Sequence, residues 1–200
     1  MLFRRLFLIA LASSLAACAQ APTQRLAATA QAVKSVRVYA WSNHDPALTA
    51  PARDQFVETL RRNGLTSTGV IELPRPLANP KALESLWAER PTDGATHALV
   101  LTRQFEQTQG GMRYIRYEAV LWDPATRQLV WLGTLASAAS HDPLQTGPRA
   151  AHDAAKRAEQ LAADLLRGLE RDGFFTLSGQ APRDAKGEPI GPTWLPLELR

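Results

Sequence analysis

Three histidines are each followed by an aspartate, at His44-Asp45, His141-Asp142 and His152-Asp153, and a paired imidazole and carboxylate is the donor set of a metal phosphohydrolase. That chemistry requires the ligands to converge, whereas neighbouring residues point apart on both strands and helices. Two of the three pairs also fall in expected loops, while that enzyme class mounts its ligands on a helical bundle. The fourth histidine, His97, heads an apolar strand, where a core or strand-end role with a satisfied hydrogen bond is expected. No Gly-x-Ser-x-Gly, phosphate loop or Cys-x-x-Cys occurs. The sequence therefore assigns no catalytic residue, no metal and no cofactor. What remains reactive is one thiol, Cys18, and what remains adhesive is a set of aromatics, Tyr39, Trp41, Tyr114, Trp122 and Trp131. Aromatics on strands pack beneath helices or form a stacking surface for glycan or peptide. Tyr39 and Trp41 are the candidates for such a surface, because they share the strand face opposite Val36 and Val38.

Cys18 ends a segment with the parts of an export signal. Arg4 and Arg5 open it, Leu6 to Leu15 form an apolar run, and Ala16-Ala17 supply small residues before the cut. The run is too short to span a bilayer, which takes roughly 20 apolar residues. Leu15-Ala16-Ala17-Cys18 resembles the lipobox of bacterial lipoproteins. The resemblance implies cleavage before Cys18, a diacylglyceryl group on its sulfur and an acylated new amino terminus. Two or more chains anchor firmly, at about 0.8 kcal/mol per buried methylene. In Gram-negative lipoproteins an aspartate directly after the cysteine holds the protein at the inner membrane. Ala19 and Gln20 stand there instead, which implies the outer membrane and a domain facing the periplasm.

Cleavage would remove two of the 23 basic residues and none of the 19 acidic ones, lowering the formal charge from +4 to +2. A nucleic-acid partner gains no support from so small a charge. With its only cysteine acylated, the chain forms no disulfide and rests on its core. The expected organisation is a signal at 1–17, a flexible tether at 18–32, one periplasmic domain at 33–175 and an irregular tail at 176–200 rich in proline and glycine.

Within the domain, Lys34 to Trp41 alternates as a half-buried strand and ends at the turn Asn43-His44-Asp45-Pro46. Thr49 and Pro51 introduce a helix to about Asn63, closed by Gly64, and a second strand runs over 65–73. Asn79 and Pro80 start a short helix with Leu83, Leu86 and Trp87 on one stripe. Strands then follow at 96–106, 113–122 and 127–137, joined at Gln109-Gly110-Gly111 and Asp123-Pro124-Ala125-Thr126 as a meander. A long helix at 149–172 closes the domain, with Ala151, Ala155, Ala158, Ala162, Leu165 and Leu169 in a stripe that packs on the sheet or on a coiled-coil partner. The fold class is α/β (α+β), a single mixed sheet of about five strands in the order β-α-β-α-β-β-β-α.

That order is similar to the periplasmic domains of the curli-secretion and the penicillin-binding-protein activator lipoproteins. The stretch Asp123-Pro124-Ala125-Thr126-Arg127-Gln128-Leu129-Val130-Trp131-Leu132-Gly133 resembles the Asp-x-x-Thr-(Lys/Arg)-x-Leu-Val-Trp-x-Gly signature of an uncharacterised envelope lipoprotein family. Leu132 stands where that family often has arginine. Neither resemblance transfers a catalytic set. Together they imply a non-catalytic binding, scaffold or assembly component of the envelope, held to a membrane by its lipid and meeting an envelope protein. The other function compatible with the sequence is a ligand module for peptidoglycan or a small apolar molecule. The oligomeric state is open.

Overall fold

The computed structural model describes residues 23–29, 32–50, 52–77, 79–89, 93–140, 146–179 and 181–193. Cys18, the lipobox and the His141-Asp142 pair lie outside them. The described residues form six strands, β1 (Thr23–Arg25), β2 (Ser35–Trp41), β3 (Thr66–Glu72), β4 (His97–Gln109), β5 (Met112–Asp123) and β6 (Gln128–Ser140), and three helices. These are α1 (Ala52–Arg62), α2 (Pro80–Ala88) and α3 (Gly147–Arg171), with a 3-10 turn at Pro46–Leu48. The strands form one sheet in the order β1-β6-β5-β4-β2-β3. β2 is parallel to both β3 and β4, and β4-β5-β6 is an antiparallel meander. The expected α/β class with a single mixed sheet holds.

Local chemistry sets the boundaries. Gly64, at φ +95°, lets the chain leave α1 while the Leu65 amide donates to the Leu60 carbonyl at 3.0 Å. Asn79 caps α2, its side chain accepting the Ala82 amide at 3.0 Å. In the hairpin between β5 and β6, Asp123 Oδ1 accepts the Ala125 amide at 2.9 Å and Arg127 takes φ +55°.

One crossover leaves β2 for β3, and the next returns from β3 across β2 to β4. The β2-α1-β3 and β3-α2-β4 connections step in opposite directions, so right-handed crossovers must put α1 and α2 on opposite faces of the sheet. The packing agrees. Val36, Val38 and Ala40 meet Phe56 and Leu60 of α1 and Leu161, Leu165 and Leu169 of α3 in the larger core. Tyr39, Ala98, Val100 and Trp122 meet Leu83, Leu86 and Trp87 under α2 in the smaller one. β2 was expected to be half-buried, and this is corrected: α2 covers its second face.

On α3 the fully buried positions include Ala158, Ala162, Leu165 and Leu169, while Ala151 is exposed. The lower part of the alanine stripe therefore packs on the protein's own core, and truncating Leu165 or Leu169 to alanine should cost about 2–5 kcal/mol.

Two boundaries differ from the sequence reading. Thr23–Arg25 lies inside the expected tether, yet it pairs with Gly133, Leu132 and Trp131 as the sixth strand. β6 offers an open edge there, and the segment is pinned by the Thr23 hydroxyl donating to Asp172 at 2.5 Å and by Arg25 stacking on Phe174. The tail is irregular as far as Thr193 but docked. Asn63 exchanges two hydrogen bonds with the Arg183 backbone, at 2.8 and 3.0 Å.

Candidate functional site

The parallel strands β2 and β3 end together, and the crevice beyond the carboxyl ends of parallel strands is where α/β sheets present their ligands. Here β2 passes into a turn in which Asn43 and His44 both have positive φ, +46° and +63°, and the Asp45 amide donates to the Ser42 carbonyl at 3.1 Å. Two consecutive positive φ values define a type I′ geometry, which favours Asn and Gly and strains a histidine. A non-glycine residue held there costs on the order of 1–3 kcal/mol and persists only where its surroundings dictate it.

Those surroundings come from four elements. Ser42 donates through its amide (3.3 Å) and hydroxyl (2.7 Å) to Glu72 Oε1 at the end of β3. From β4, Arg103 Nη1 donates to the Asn43 carbonyl at 2.8 Å. Asp45, fully buried, accepts the Ala47 amide at 2.9 Å on Oδ1 and the Tyr117 hydroxyl of β5 at 2.5 Å on Oδ2. Arg157 of α3 brings Nη2 to 3.4 Å from Oδ1. Burial, and then the Asp45 carboxylate beside it, hold the Tyr117 phenol far above its ordinary range, so the proton stays on the phenol and is donated.

Outside this framework lies a crevice of about 220 Å³ walled by Trp41, His44, Thr49, Arg53, Glu72 and Pro74. Arg53 is engaged with backbone, donating to the Leu48 carbonyl at 3.3 Å and the Val70 carbonyl at 3.2 Å. What faces outward is the half-buried Trp41 ring and the exposed His44 imidazole. The paired Asp45 points inward to Tyr117, so this His-Asp dipeptide forms no relay. The crevice can stack, accept and donate hydrogen bonds, and thus bind.

Tyr39 does not join Trp41 there, and its candidacy as a binding surface is corrected. It is 1% exposed, and its hydroxyl donates to the Leu86 carbonyl of α2 at 3.0 Å. The adjacent Arg37 is also buried under α2. It forms a fork to Asp93 at 2.5 Å on each arm, stacks on Trp87 at 4.2 Å and holds the Asp93 carboxyl at about 2. Alternation located the face correctly, and α2 then closed over it.

The remaining candidates scatter. His97 is buried with Nδ1 3.0 Å from the Thr96 hydroxyl, and burial lowers its pKa against the pull of Asp123. His152 is exposed on α3. Among the described residues no group of three or more His, Cys, Asp or Glu side chains is placed to hold a metal. Trp122 packs edge-on against Trp87 with ring centroids 5.8 Å apart, and Trp131 donates from Nε1 to Asp172 at 2.7 Å.

The sequence missed the Asp45-Tyr117-Arg157 cluster. One signal was present. Arg157 sits between Ala154, Ala158 and Leu161 on the apolar side of α3, where a guanidinium is buried only against an acid.

No protein-family model matches the chain, and no curated protein matches it. Among solved structures it is similar to the PelC dodecamer protein of Paraburkholderia phytofirmans, at 18% identity over 75% of this chain and 97% of that one, with a TM-score of 0.42. It is similar to the hypothetical protein CT253 of Chlamydia trachomatis, at 12% identity over 70% and 98% of the two chains and a TM-score of 0.40. Lipoprotein GNA1162 of Neisseria meningitidis matches at 12% identity over 57% and 86%, with a TM-score of 0.33. Likenesses this distant carry no argument about function.

Proposed function

We propose that this chain is an envelope lipoprotein, acylated at Cys18, held at the outer membrane with its domain in the periplasm, and acting without catalysis as a binding, scaffold or assembly component that meets an envelope protein. The observation that carries the anchoring is Leu15-Ala16-Ala17-Cys18 at the end of an export signal, with Ala19 and Gln20 after it. Contact rather than reaction is supported by the crevice beyond β2 and β3, where Glu72, Arg53 and Asp45 are spent on holding the turn and Trp41 and His44 are presented outward.

The test pairs two substitutions in the full-length protein. Cys18→Ser should move it from the membrane to the soluble fraction, and a membrane fraction left unchanged defeats the anchoring. Wild-type protein sedimenting with inner-membrane markers defeats the outer-membrane placement. Trp41→Ala should abolish crosslinks to a partner in intact cells while the domain stays folded with a melting temperature lowered by several degrees, since Trp41 is half-buried against the smaller core. Undiminished crosslinks would remove the crevice from the contact.

A further inference from the structure

A second cavity, of about 530 Å³, lies between α3, the start of β5, the end of β6 and Pro192 and Thr193 of the tail. One flank of α3 supplies Arg149, Asp153, Lys156, Arg157 and Gln160, and Met112 and Tyr114 supply an apolar wall. Arg149, Asp153, Lys156 and Gln160 recur at three to four residues and Arg157 stands four after Asp153, so they share one side of the helix. Three cations face a single acid.

Arg157 sets this cavity apart. Its side chain is 7% exposed, and its guanidinium is charged at any pH the protein meets. Asp45 meets only Nη2, at 3.4 Å, and that carboxylate is already shared with the Tyr117 hydroxyl and the Ala47 amide. Arg157 Nε and Nη1 are buried with no hydrogen-bond partner among the described residues. A buried cation with two unmet donors is costly, and it is stabilised most by an acceptor that brings negative charge. Arg149 and Lys156, both exposed, enlarge the positive field at the mouth.

We infer that this cavity binds a small organic anion through a phosphate or carboxylate group lodged against Arg157, with Arg149 and Lys156 at the rim and the body of the ligand against Tyr114 and Met112. Its volume suits a ligand of metabolite or dipeptide size. The inference is independent of lipidation and of the crevice beyond β2 and β3, so it stands or falls separately from the proposed function.

The experiment follows the melting temperature of the detergent-solubilised full chain with three probes at millimolar concentration, inorganic phosphate, glycerol phosphate and N-acetyl-alanyl-alanine, each against sodium chloride of equal ionic strength. At least one probe should raise it, and titration calorimetry gives its affinity. The ranking of the probes separates a phosphate source from a peptide carboxylate. Arg149→Gln with Lys156→Gln, at exposed positions that leave the fold intact, should weaken that affinity by about tenfold. Arg157→Lys, which keeps the charge toward Asp45 but loses the planar array of donors, should weaken it at least as much. No probe exceeding chloride would show that water or the chain itself serves the Arg157 donors, and would overturn the site. Affinity unchanged in both variants would place binding elsewhere and overturn it equally.

Discussion

Asp45→Ala tests whether one buried carboxylate holds the turn that shapes the crevice. The substitution removes the acceptor of the Tyr117 hydroxyl, the acceptor of the Ala47 amide and the counter-ion of Arg157. An orphaned buried hydroxyl costs about 1–3 kcal/mol and a lost cap about 1 kcal/mol. Leaving the buried Arg157 charge unpaired costs about 3–5 kcal/mol. These overlap because the turn can relax, so the expected loss is about 4 kcal/mol, a large part of the roughly 5–15 kcal/mol that stabilises a domain. Urea unfolding with the slope held constant reads it directly. The sharper measurement is the double variant. Arg157→Met removes the cation that Asp45→Ala strands, so the pair together should cost at least about 2 kcal/mol less than the sum of the two single changes. An Asp45→Ala loss below about 1 kcal/mol, or strict additivity with Arg157→Met, would refute the claim that this ion pair and its hydrogen bonds pin the turn.

Gly168→Ala should destabilise although alanine is the better helix former. The added Cβ would stand 2.9 Å from Trp131 Cζ2, and that ring is fixed by its bond to Asp172. A gain of about 1 kcal/mol in helix propensity is outweighed by overpacking of about 1–3 kcal/mol, so a raised melting temperature would show that the Trp131 ring can move aside. Asp164 predicts a pH slope. Burial raises its pKa from 3.8 to about 6 despite the Arg167 guanidinium 2.5 Å away. A carboxyl whose folded pKa is raised contributes stability that is complete below its unfolded pKa and lost as pH rises through the folded one. Stability should therefore fall by on the order of 2–3 kcal/mol between about pH 4 and pH 6, and Asp164→Asn should remove that part of the slope. Parallel pH profiles for the two proteins would contradict the assignment.

Elements marked by local chemistry were legible in the sequence. Gly64, Asn79-Pro80 and the turn after Asp123 each act within a few residues, and each stands where its chemistry placed it. β1 left no trace because an edge strand of three residues is held by backbone pairing to β6, which needs no side-chain period. The Asp45-Tyr117 contact joins residues 72 positions apart, and Arg157 arrives from the last helix, so only the completed sheet brings them together. Tyr39 shows the same limit from the other direction: alternation fixed which face it occupies, while its burial depended on α2 crossing back over that face.

The signature running from Asp123 to Gly133 has a structural meaning that bears on where function can lie. Asp123 and Arg127 form the turn, and the Trp131 ring lies across Gly133, where any Cβ would collide with it. The same ring packs under Gly168 of α3 and bonds to Asp172, beside the Thr23 of β1 that shares that carboxylate. Its tryptophan and glycine, with Gly168 of α3, thus fix how closely α3 approaches β6. They hold α3 against the sheet, and Arg157, about three turns before Gly168 on the same helix, is thereby held against Asp45. The signature residues thus position the Asp45 cluster from a distance, and the residues proposed to meet a partner or ligand lie at turns and helix flanks where the sequence carries no comparable mark.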